Sequence, residues 1–468
     1  MHNDDSSAAS LDATLQRLRD AWQAQRPAPR QRRDDLRRLH AALKARLPDM
    51  VDAVGADFGH RSRHESLLAD GMTVLGAIAH LARHLERWSK PRRVATGWRF
   101  LPARAQLRHV PLGVVGVMSP WNYPVNLALV PLATAIAAGN HVFLKPSEHT
   151  PRTSAFLRGL LASVFPADRV AVAEGDAALA AAFSALPFDH LLFTGSTALG
   201  RSVMAAAAPN LTPLTLELGG KSPAIVCDDY PLERAAARLA TGKWFNAGQT
   251  CIAPDYVLVG AGRRDALAEA LRSQVAQRYG TLDDASDYTR IISEAQFDRL
   301  EALLDDARAR GLQVLPLAPV HDRAHRLFAP TLVLDPGDDA RLMQEEIFGP
   351  ILPLRSVASL DAAIAHINAG ERPLALYPFS GDRRTVEAIL QRTVAGGVTV
   401  NDTLLHFGIE SLPFGGVGAS GMGAYHGRAG FDAMGKQLPV LWQARFAGSD
   451  LLRPPYARID RLLRWLLR

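Results

Sequence analysis

The chain has 468 residues, of which 48% are hydrophobic and 21% are charged. This length predicts two or three domains with a large buried core, and the proportions exclude a collagen-like, low-complexity or wholly disordered chain. The formal net charge of +6 comes from scattered arginines without interleaved aromatic residues, which argues against nucleic-acid binding, and only two cysteines are present, which excludes a disulfide framework.

The first ninety residues predict a helical segment, because apolar residues recur at every third or fourth position from about residue 10 onward. The residues before it include Asp4 and Asp5, where a signal peptide needs positive charge, so secretion is not expected and the expected compartment is the cytoplasm. The sequence contains no run of about 18 uncharged apolar residues, so no transmembrane span is predicted.

The middle of the chain changes from a helical to a strand period. Residues 106–118 form short β-branched runs broken by Pro111, Gly113 and Gly116, a pattern that predicts a strand or a hairpin. Apolar strands then alternate with helices, which indicates a parallel sheet with crossover helices. The predicted strands of this first series lie at 141–145, 190–195 and 213–220.

A second series of strands and helices follows residue 251 and predicts a second α/β domain. Its strands are expected at 256–259, 313–316, 331–334 and 351–354, with helices around 263–278 and 296–310. Residues 413–427, PFGGVGASGMGAYHG, are too rich in glycine for a helix or a central strand and predict a loop with unusual backbone angles. Residues 458–468 predict a short basic amphipathic helix, docked on the protein or attached to a membrane surface.

Two cysteines differ sharply in their surroundings. Cys251 lies among polar residues in NAGQTCIAPDY, so it is a candidate nucleophile, although a core thiol is an equal alternative. A nucleophilic thiol needs a lowered pKa or a nearby base, since a free thiol has a pKa of about 8.5. Cys227 ends an apolar strand in AIVCDDY and is expected to be an inert buried thiol.

Two further polar residues lie where a rigid backbone would orient them. Glu217 ends a strand in LELGGKSP, where burial would raise its pKa toward that of a general base, and a structural hydrogen bond is the alternative. Asn122 lies between Pro120 and Pro124 in SPWNYPVN, so its amide is either a donor to an oxyanion or part of a turn.

A third group of residues follows strands and suggests phosphate binding. Lys145 and Glu148 lie in FLKPSE, and FTGSTALG contains Gly195 and Gly200 at the start of a helix whose N-terminal amides could receive a phosphate. The glycine spacing matches neither the dinucleotide fingerprint nor the P-loop, so this segment alone is weak evidence. We find no spacing typical of a metal site.

In this order, the segments SPWNYP, KPSE, FTGS, LELGGKSP, GQTC, EEIFGP and PFGGVGASGMG resemble the aldehyde dehydrogenase superfamily. Glu217 and Cys251 lie 34 positions apart, the interval that the family places between its base and its nucleophile. GQTCIAPDY, MQEEIFGPILP and GMGAYHG are similar to its class 3 branch. Within that branch, NDTLLHFGIESLPFGGVG and LRPPY most resemble the bacterial coniferyl aldehyde dehydrogenases.

The resemblance implies an α/β fold with a Rossmann-type cofactor domain, a second α/β catalytic domain and a small β element for bridging and oligomerisation. Residues 1–219 would hold the N-terminal helices and the NAD-binding domain, with a bridging hairpin at about 90–112. Residues 220–400 would form the catalytic domain. Residues 401–468 would form a return segment, the glycine-rich loop, an oligomerisation strand and the basic tail. A homodimer is implied.

The resemblance also assigns roles. Cys251 would attack the aldehyde, Asn122 and the Cys251 N–H would hold the oxyanion, and Glu217 would activate the water that hydrolyses the thioester. NAD is the implied cofactor, with NADP as an alternative that the Glu148 carboxylate would disfavour. The implied cofactor residues are Lys145 and Glu148 at the adenosine ribose, Gly195 and Ser196 with Gly200 in the pyrophosphate segment, and Glu346 and Phe348 at the nicotinamide.

An aldehyde channel is expected near the motifs, although the same side chains could serve only in packing. Its candidate residues are Trp121, Tyr123, Asn126, Trp244, Phe245, His406 and Phe407. They suit a coniferyl-type aromatic aldehyde, with a medium-chain or long-chain fatty aldehyde as the alternative. A cofactor-independent ester hydrolase and a catalytically idle binding protein on the same fold are the competing functions.

Overall fold

The computed structural model describes residues 8–282, 287–447 and 454–467, and these residues contain three β-sheets. Two of the sheets are mainly parallel and carry crossover helices, which confirms the predicted α/β class. No helix in the described ranges is long and apolar enough to cross a bilayer.

The amino-terminal segment is helical, as its apolar periodicity predicts. Its helices are α1 (Ala8–Ala24), α2 (Pro29–Ala45), α3 (Leu47–Phe58), α4 (Arg63–Ser66) and α5 (Thr73–Trp88). The predicted apolar face of α2 is fully buried at Leu36, Leu39 and Leu43. Between α4 and α5 a π-helix covers Leu67–Met72, a wide turn that occurs most often at functional sites.

The smallest sheet has three antiparallel strands. They are β1 (Arg92–Val94), β2 (Arg104–Pro111) and β16 (Gly435–Trp442), in the order β1-β2-β16. The pattern at 106–118 predicted a single strand or a hairpin, but β2 and the next strand belong to different sheets. The chain bends between them at Gly113, where φ is +145° and an added Cβ would lie 2.3 Å from Oδ2 of Asp189.

The six-stranded sheet is parallel except for one edge strand. Its strands are β3 (Val114–Met118), β4 (His141–Lys145), β5 (Val170–Val172), β6 (His190–Thr194), β7 (Leu214–Glu217) and β15 (Gly421–Met422). The order β15-β7-β6-β3-β4-β5 means that the chain builds outward from β3 on one side and then returns to the other. This reversal opens a crevice beyond the carboxyl end of β3, where ligands bind in sheets of this kind.

Helices cover this sheet. They are α6 (Asn126–Ala138), α7 (Pro151–Val164), α8 (Ala177–Ser184) and α9 (Thr197–Ala207). Every residue of α6 is buried, so this helix lies in the core and fixes the segment that precedes it. The glycine-rich segment is mostly loop, with positive φ at Gly418, Gly421 and Gly423, and contributes only β15.

The seven-stranded sheet confirms the second predicted series. Its strands are β8 (Pro223–Val226), β9 (Tyr256–Gly260), β10 (Gln313–Pro316), β11 (Thr331–Leu334), β12 (Ile351–Val357), β13 (Ala375–Phe379) and β14 (Gly397–Val398). The order is β10-β11-β12-β9-β8-β13-β14, with only β10 antiparallel to its neighbour. The helices are α10 (Leu232–Trp244), α11 (Arg264–Tyr279), α12 (Glu294–Ala309), α13 (Arg341–Gln344), α14 (Leu360–Ala369) and α15 (Arg383–Arg392).

Two helices complete the chain, α16 (Gly427–Ala433) and α17 (Asp460–Leu466). The basic tail does form the predicted helix, in α17. Ile459 before it is buried, and the ring of Trp465 lies edge-on to that of Trp98 at 6.3 Å, so α17 contacts the body of the protein.

Candidate active site

A cleft of about 500 Å³ lies beyond the carboxyl ends of β3, β4, β6 and β7, at the crevice that the strand order opens. It brings together side chains from both large sheets. The sequence-predicted residues that line it are Trp121, Asn122, Lys145, Glu148, Gly195, Ser196, Glu217, Cys251, Glu346 and Phe348.

The thiol of Cys251 is presented by a strained turn. Asn246 and Ala247 have left-handed φ angles of 52° and 51°, and Gly248 follows at 74°. An added Cβ at Gly248 would lie 2.3 Å from the carbonyl oxygen of Gly349, so only glycine fits there. Such strain in a non-glycine backbone is concentrated at functional sites, and here it orients the half-buried thiol into the cleft.

The electrostatics around Cys251 favour the neutral thiol. Burial raises its pKa strongly, and the carboxyl groups of Glu346 and Glu217 raise it further. The backbone N–H groups of Cys251 and Ile252 act in the opposite direction but do not outweigh them. The thiol must therefore lose its proton to a base before it can attack a carbonyl.

Glu217 ends β7 and is fully buried. Its neighbour on one side is β6, and on the other β15 closes the sheet edge by pairing Gly421 with Glu217. Neither carboxyl oxygen has a hydrogen-bond partner among the described residues, and burial raises its pKa well above the usual value. A water that enters beside it would meet a carboxyl group with two free acceptor oxygens.

Asn122 lies on the loop between β3 and α6, beside the Cys251 turn. Its Nδ2 donates to the carbonyl oxygen of Gln249 at 3.1 Å, two residues before the thiol. The backbone carbonyl oxygen of Asn122 accepts from Nδ2 of Asn246 at 3.0 Å and from Nη1 of Arg61 at 3.2 Å. Since an amide nitrogen carries two hydrogens, one remains for a further acceptor in the cleft.

Lys145 and Glu148 form an ion pair at the far part of the cleft, with Nζ 2.6 Å from Oε2. Burial acts to raise the pKa of Glu148, but the hydrogen bond and charge of Lys145, together with smaller contributions from the Glu148 backbone N–H and from His149, outweigh it and hold the pKa below its usual value. Glu148 is therefore an anion that can accept hydrogen bonds from the hydroxyls of a ribose and would repel a phosphate in that place.

The segment after β6 divides between ligand contact and packing. Gly195 and Ser196 line the cleft, and Ser196 caps α9 by accepting from the N–H of Leu199 at 3.3 Å. Gly200 does not line it. An added Cβ at Gly200 would lie 2.6 Å from Cδ2 of Leu218, so this glycine permits close packing of α9 on the end of β7.

The side chain of Glu346 packs against the backbone of Gly219. An added Cβ at Gly219 would lie 2.0 Å from Oε2 of Glu346, so the carboxyl group lies directly against the backbone there. Burial, with a smaller contribution from the charge of Asp255, raises the pKa of Glu346 to about 8, and the N–H of Gly220 acts in the opposite direction. Phe348 has a left-handed φ of 48° and meets Trp121 edge-on at 5.3 Å.

The cleft fits a dinucleotide. Ser119 Oγ, Thr194 Oγ1 and both oxygens of Glu217 line it and have no hydrogen-bond partner among the described residues. Unpaired buried polar atoms are costly, and they indicate a site for a polar ligand or water. No cluster of three or more metal-binding side chains occurs in the described ranges.

The candidate channel residues separate into two groups. Tyr123 lies beside the thiol, since its hydroxyl is 2.5 Å from Oγ1 of Thr250, and its ring stacks with Phe245 at 6.5 Å. Trp244 is fully buried and donates to the carbonyl oxygen of Pro350 at 3.3 Å, so it belongs to the core.

Asn126, His406 and Phe407 also make contacts within the protein. Asn126 donates from Nδ2 to the backbone carbonyl oxygen of Ala69 at 2.6 Å. His406 bonds Oγ1 of Thr399 at 2.8 Å, and Phe407 packs edge-on against Phe414 at 4.8 Å.

Sequence reasoning missed several residues around the site. Arg61 and Asp70 come from the helical opening segment, where nothing local distinguishes them from surface charges. Tyr425 and His426 belong to the motif GMGAYHG and are fully buried, and the Tyr425 hydroxyl has no hydrogen-bond partner among the described residues. That motif was the only signal that could have identified either of them.

Comparison with known proteins gives the family of the chain. Residues 2–437 match the aldehyde dehydrogenase family. The chain is 48% identical to a protein of Pseudomonas aeruginosa named probable coniferyl aldehyde dehydrogenase, over 96% of this chain and 94% of that protein. Coniferyl aldehyde dehydrogenase of Pseudomonas sp. strain HR199 is 46% identical over 98% and 97%.

A solved structure gives the same result for the fold. The substrate-bound state of AldH from Staphylococcus aureus superposes with a TM-score of 0.94 at 35% identity, covering 98% of this chain and 99% of that one. With the family match over most of the chain, these similarities confirm the resemblance read from the motifs. The chain belongs to the aldehyde dehydrogenase family.

Proposed function

We propose that the chain oxidises a coniferyl-type aromatic aldehyde to the carboxylic acid, with Cys251 as nucleophile, Glu217 as base and Asn122 as oxyanion donor. The observation that carries this proposal is that these three residues line the same cleft as the ion-paired Lys145 and Glu148. Enzymes of this family depend on NAD(P), and a solved relative from Sinorhizobium meliloti, 28% identical, is titled an NAD-dependent aldehyde dehydrogenase.

In the first step Cys251 Sγ forms a bond to the aldehyde carbon, the sulfur–hydrogen bond breaks, and the thiol proton passes to a water molecule in the cleft. The carbonyl oxygen becomes an oxyanion, which accepts from Nδ2 of Asn122 and from the backbone N–H of Cys251. The bond from Nδ2 to Gln249 supports this role, because it fixes the amide plane and leaves the second N–H for the oxyanion. Bound in the cleft, NAD(P) supplies the acceptor for the hydride.

In the second step the thioester on Cys251 is hydrolysed. A water oxygen bonds to the acyl carbon, Glu217 takes the proton from the water, and the carbon–sulfur bond breaks to release the acid and the thiolate. Burial raises the pKa of Glu217 well above its usual value, so its carboxylate is a stronger base than one of ordinary pKa.

Residues at the far part of the cleft would bind the cofactor. Lys145 and Glu148 would hold the adenosine ribose, and the Glu148 anion would favour NAD over NADP. Gly195 and Ser196 at the start of α9 would approach the pyrophosphate, because N-terminal amides attract anions. Glu346 and Phe348 would position the nicotinamide ribose and ring.

The aromatic substrate class is proposed from the relatives and from two rings. The relatives at 48% and 46% identity are both named for coniferyl aldehyde. The rings of Tyr123 and Phe245 stack at 6.5 Å, and the Tyr123 hydroxyl contacts Thr250 next to the thiol, so an aromatic pair lies close to Cys251.

A substrate panel tests this class. Purified protein with NAD is mixed with coniferaldehyde, benzaldehyde, hexanal or decanal, and NADH formation is followed with a correction for coniferaldehyde absorbance. Preference for the aromatic members is expected, and preference for decanal would overturn it. Ester cleavage without NAD and no reaction with any aldehyde would indicate a hydrolase.

We also propose a homodimer and a cytoplasmic location. β16 carries exposed Leu441 and Trp442, which are 56% and 55% accessible, at the free edge of the small sheet. Exposed apolar residues on an edge strand are typical of a surface that another chain covers. Both cysteines are free, and the nucleophile requires a reducing compartment.

A further inference from the structure

A buried pair of opposite charges contacts the Asn122 loop, and the reaction above gives it no part. Arg61 follows α3, and Asp70 lies in the π-helix. The side chains of both are fully inaccessible to solvent, and Nη1 of Arg61 is 3.2 Å from Oδ2 of Asp70. Burial raises the pKa of Asp70, and the guanidinium acts against that rise.

Arg61 reaches the candidate oxyanion donor directly. The same Nη1 donates to the carbonyl oxygen of Asn122 at 3.2 Å, and the guanidinium carbon lies 4.9 Å from the ring centre of Tyr123. One planar cation therefore contacts two consecutive residues of the loop that carries the Asn122 amide.

Asp70 holds the other end of this loop. Its Oδ1 accepts from the N–H groups of Val125 and Asn126, at 3.1 and 2.8 Å, in the first turn of α6. A carboxylate at this place satisfies backbone donors that a helix leaves unpaired. Since α6 is buried throughout, the loop from 122 to 126 has a rigid support at its end.

A second buried acid supports the facing turn. Glu65 accepts from the N–H of Asn246 at 3.1 Å and from Oγ1 of Thr289 at 2.6 Å. Nδ2 of Asn246 in turn donates to the carbonyl oxygens of Asn122 and Gln249, at 3.0 and 3.1 Å. The backbone carbonyl oxygen of Asn122 thus accepts both from Arg61, which is paired with Asp70, and from Asn246, which is bound by Glu65.

A contribution to stability does not explain the Arg61–Asp70 ion pair. Nε and Nη2 of Arg61 find no hydrogen-bond acceptor among the described residues. A buried ion pair with unpaired donors is usually no better than apolar packing of the same volume. What this pair offers instead is a fixed geometry for the loop.

Resting on the proposed role of Asn122, we propose that Arg61, held by Asp70, is a positioning residue that keeps the Asn122 amide aimed at the oxyanion. A displacement of about 1 Å in such a group costs on the order of 10²-fold in rate. Arg61 touches no reacting atom, so its effect must pass through Asn122.

Single-turnover formation of NADH from coniferaldehyde tests the proposal. Arg61→Met is expected to lower the rate by about 10-fold to 100-fold without a change in NAD affinity, and Arg61→Lys by less. Arg169→Met is the matched control, because Arg169 is also buried, is paired with Asp35 at 3.0 Å and has unpaired donors. It should lose thermal stability but keep the rate. An Arg61→Met rate within about 3-fold of the unaltered chain overturns the proposal.

Asn122→Ala completes a double-mutant cycle. In that background Arg61→Met should change the rate by less than about 3-fold, because the group it positions is gone. A full additional loss means that Arg61 acts elsewhere and overturns the proposal. An undiminished rate in Asn122→Ala alone refutes the proposed function instead. If Arg61→Met does not fold, Asp70→Asn replaces it, because this change keeps the shape of the side chain. Its single-turnover rate is then measured with and without Asn122→Ala, and the same results support or overturn the proposal.

Discussion

The thiol of Cys251 has a natural control in the second cysteine. Cys251→Ala is expected to abolish aldehyde oxidation and to retain NAD binding, because the nucleophile is lost and the cleft remains. Cys227→Ala should keep full turnover, since Cys227 follows β8, where burial raises its pKa to about 11 and no role in the reaction is proposed. NADH formation and NAD titration by fluorescence measure both. Turnover in Cys251→Ala would refute the assigned nucleophile.

Glu217 should control the second half of the reaction. Glu217→Gln keeps the shape of the side chain but cannot accept a proton, so the thioester should accumulate. We expect a burst of NADH close to one equivalent, followed by turnover slowed by about 10²-fold or more. Rapid-mixing measurements separate the two phases. Turnover at the normal rate without an accumulated thioester would show that another group is the base.

The same substitution should stabilise the fold, in a pH-dependent manner. The folded pKa of Glu217 lies well above the ordinary 4.5 because of burial, so the unfolded chain releases its proton first as the pH rises. Above that ordinary value the folded state loses up to about 1.4 kcal/mol per pH unit, until its own pKa is reached. The gain in Tm of Glu217→Gln should therefore grow from about pH 5 to about pH 8. An equal gain at both would contradict the raised pKa.

At the residue scale, local motifs predicted Cys251, Glu217 and Asn122, because each lies in a short segment whose own backbone orients it. They failed at Trp244, which has an aromatic side chain one residue before a site turn and yet faces the core. The direction of a side chain next to a motif depends on packing from distant segments. Arg61 shows the same limit, since its partners lie far along the chain.

At the scale of elements, β15 supports Glu217 through backbone contacts that tolerate no side chain. An added Cβ at Gly421 would lie 2.1 Å from the carbonyl oxygen of Leu216, at a φ of +140°. Gly421→Ala should cost about 2–4 kcal/mol of stability and slow thioester hydrolysis, by moving the strand beside Glu217. Thermal unfolding and rapid mixing measure these effects.

Gly262→Ala is the control, because nothing lies within 4 Å of its added Cβ and its φ is not positive. It should be neutral in both measurements. If Gly421→Ala were equally neutral, the pairing of β15 with β7 would not matter to Glu217.

Periodicity predicted most elements of both large sheets, because buried strands and amphipathic helices repeat along the chain with different periods. It could not predict which strands pair. The run at 106–118 looked like one unit, but the chain bends at Gly113, and β2 pairs with β16 whereas β3 pairs with β4 and β6. The antiparallel β10 likewise depends on a distant neighbour.

At the scale of the whole molecule, the free edge of the small sheet should determine the oligomeric state. Leu441→Glu with Trp442→Glu should convert the proposed dimer to a monomer, since buried charges would oppose the contact. Leu211→Glu, at a residue that is 88% accessible and outside this sheet, is the control. Sedimentation measures both, and a dimer that survives the double change would place the interface elsewhere.

The overall architecture was implied by the order of the motifs and not by length and composition, which predict only a globular chain of two or three domains. The domain limits at 219 and 400 stay predictions. The six-stranded sheet takes β15 from residues 421–422, so its strands do not all come from one continuous range.

This late strand bears on how the protein is synthesised. β7 ends at residue 217, but its outer neighbour leaves the ribosome only some two hundred residues later. Until then one edge of the nascent sheet exposes unpaired backbone groups, next to the carboxyl group of Glu217. An exposed edge of this kind invites pairing with other chains. Nascent chains that stop before the glycine-rich segment should therefore depend on chaperones far more than the finished protein does.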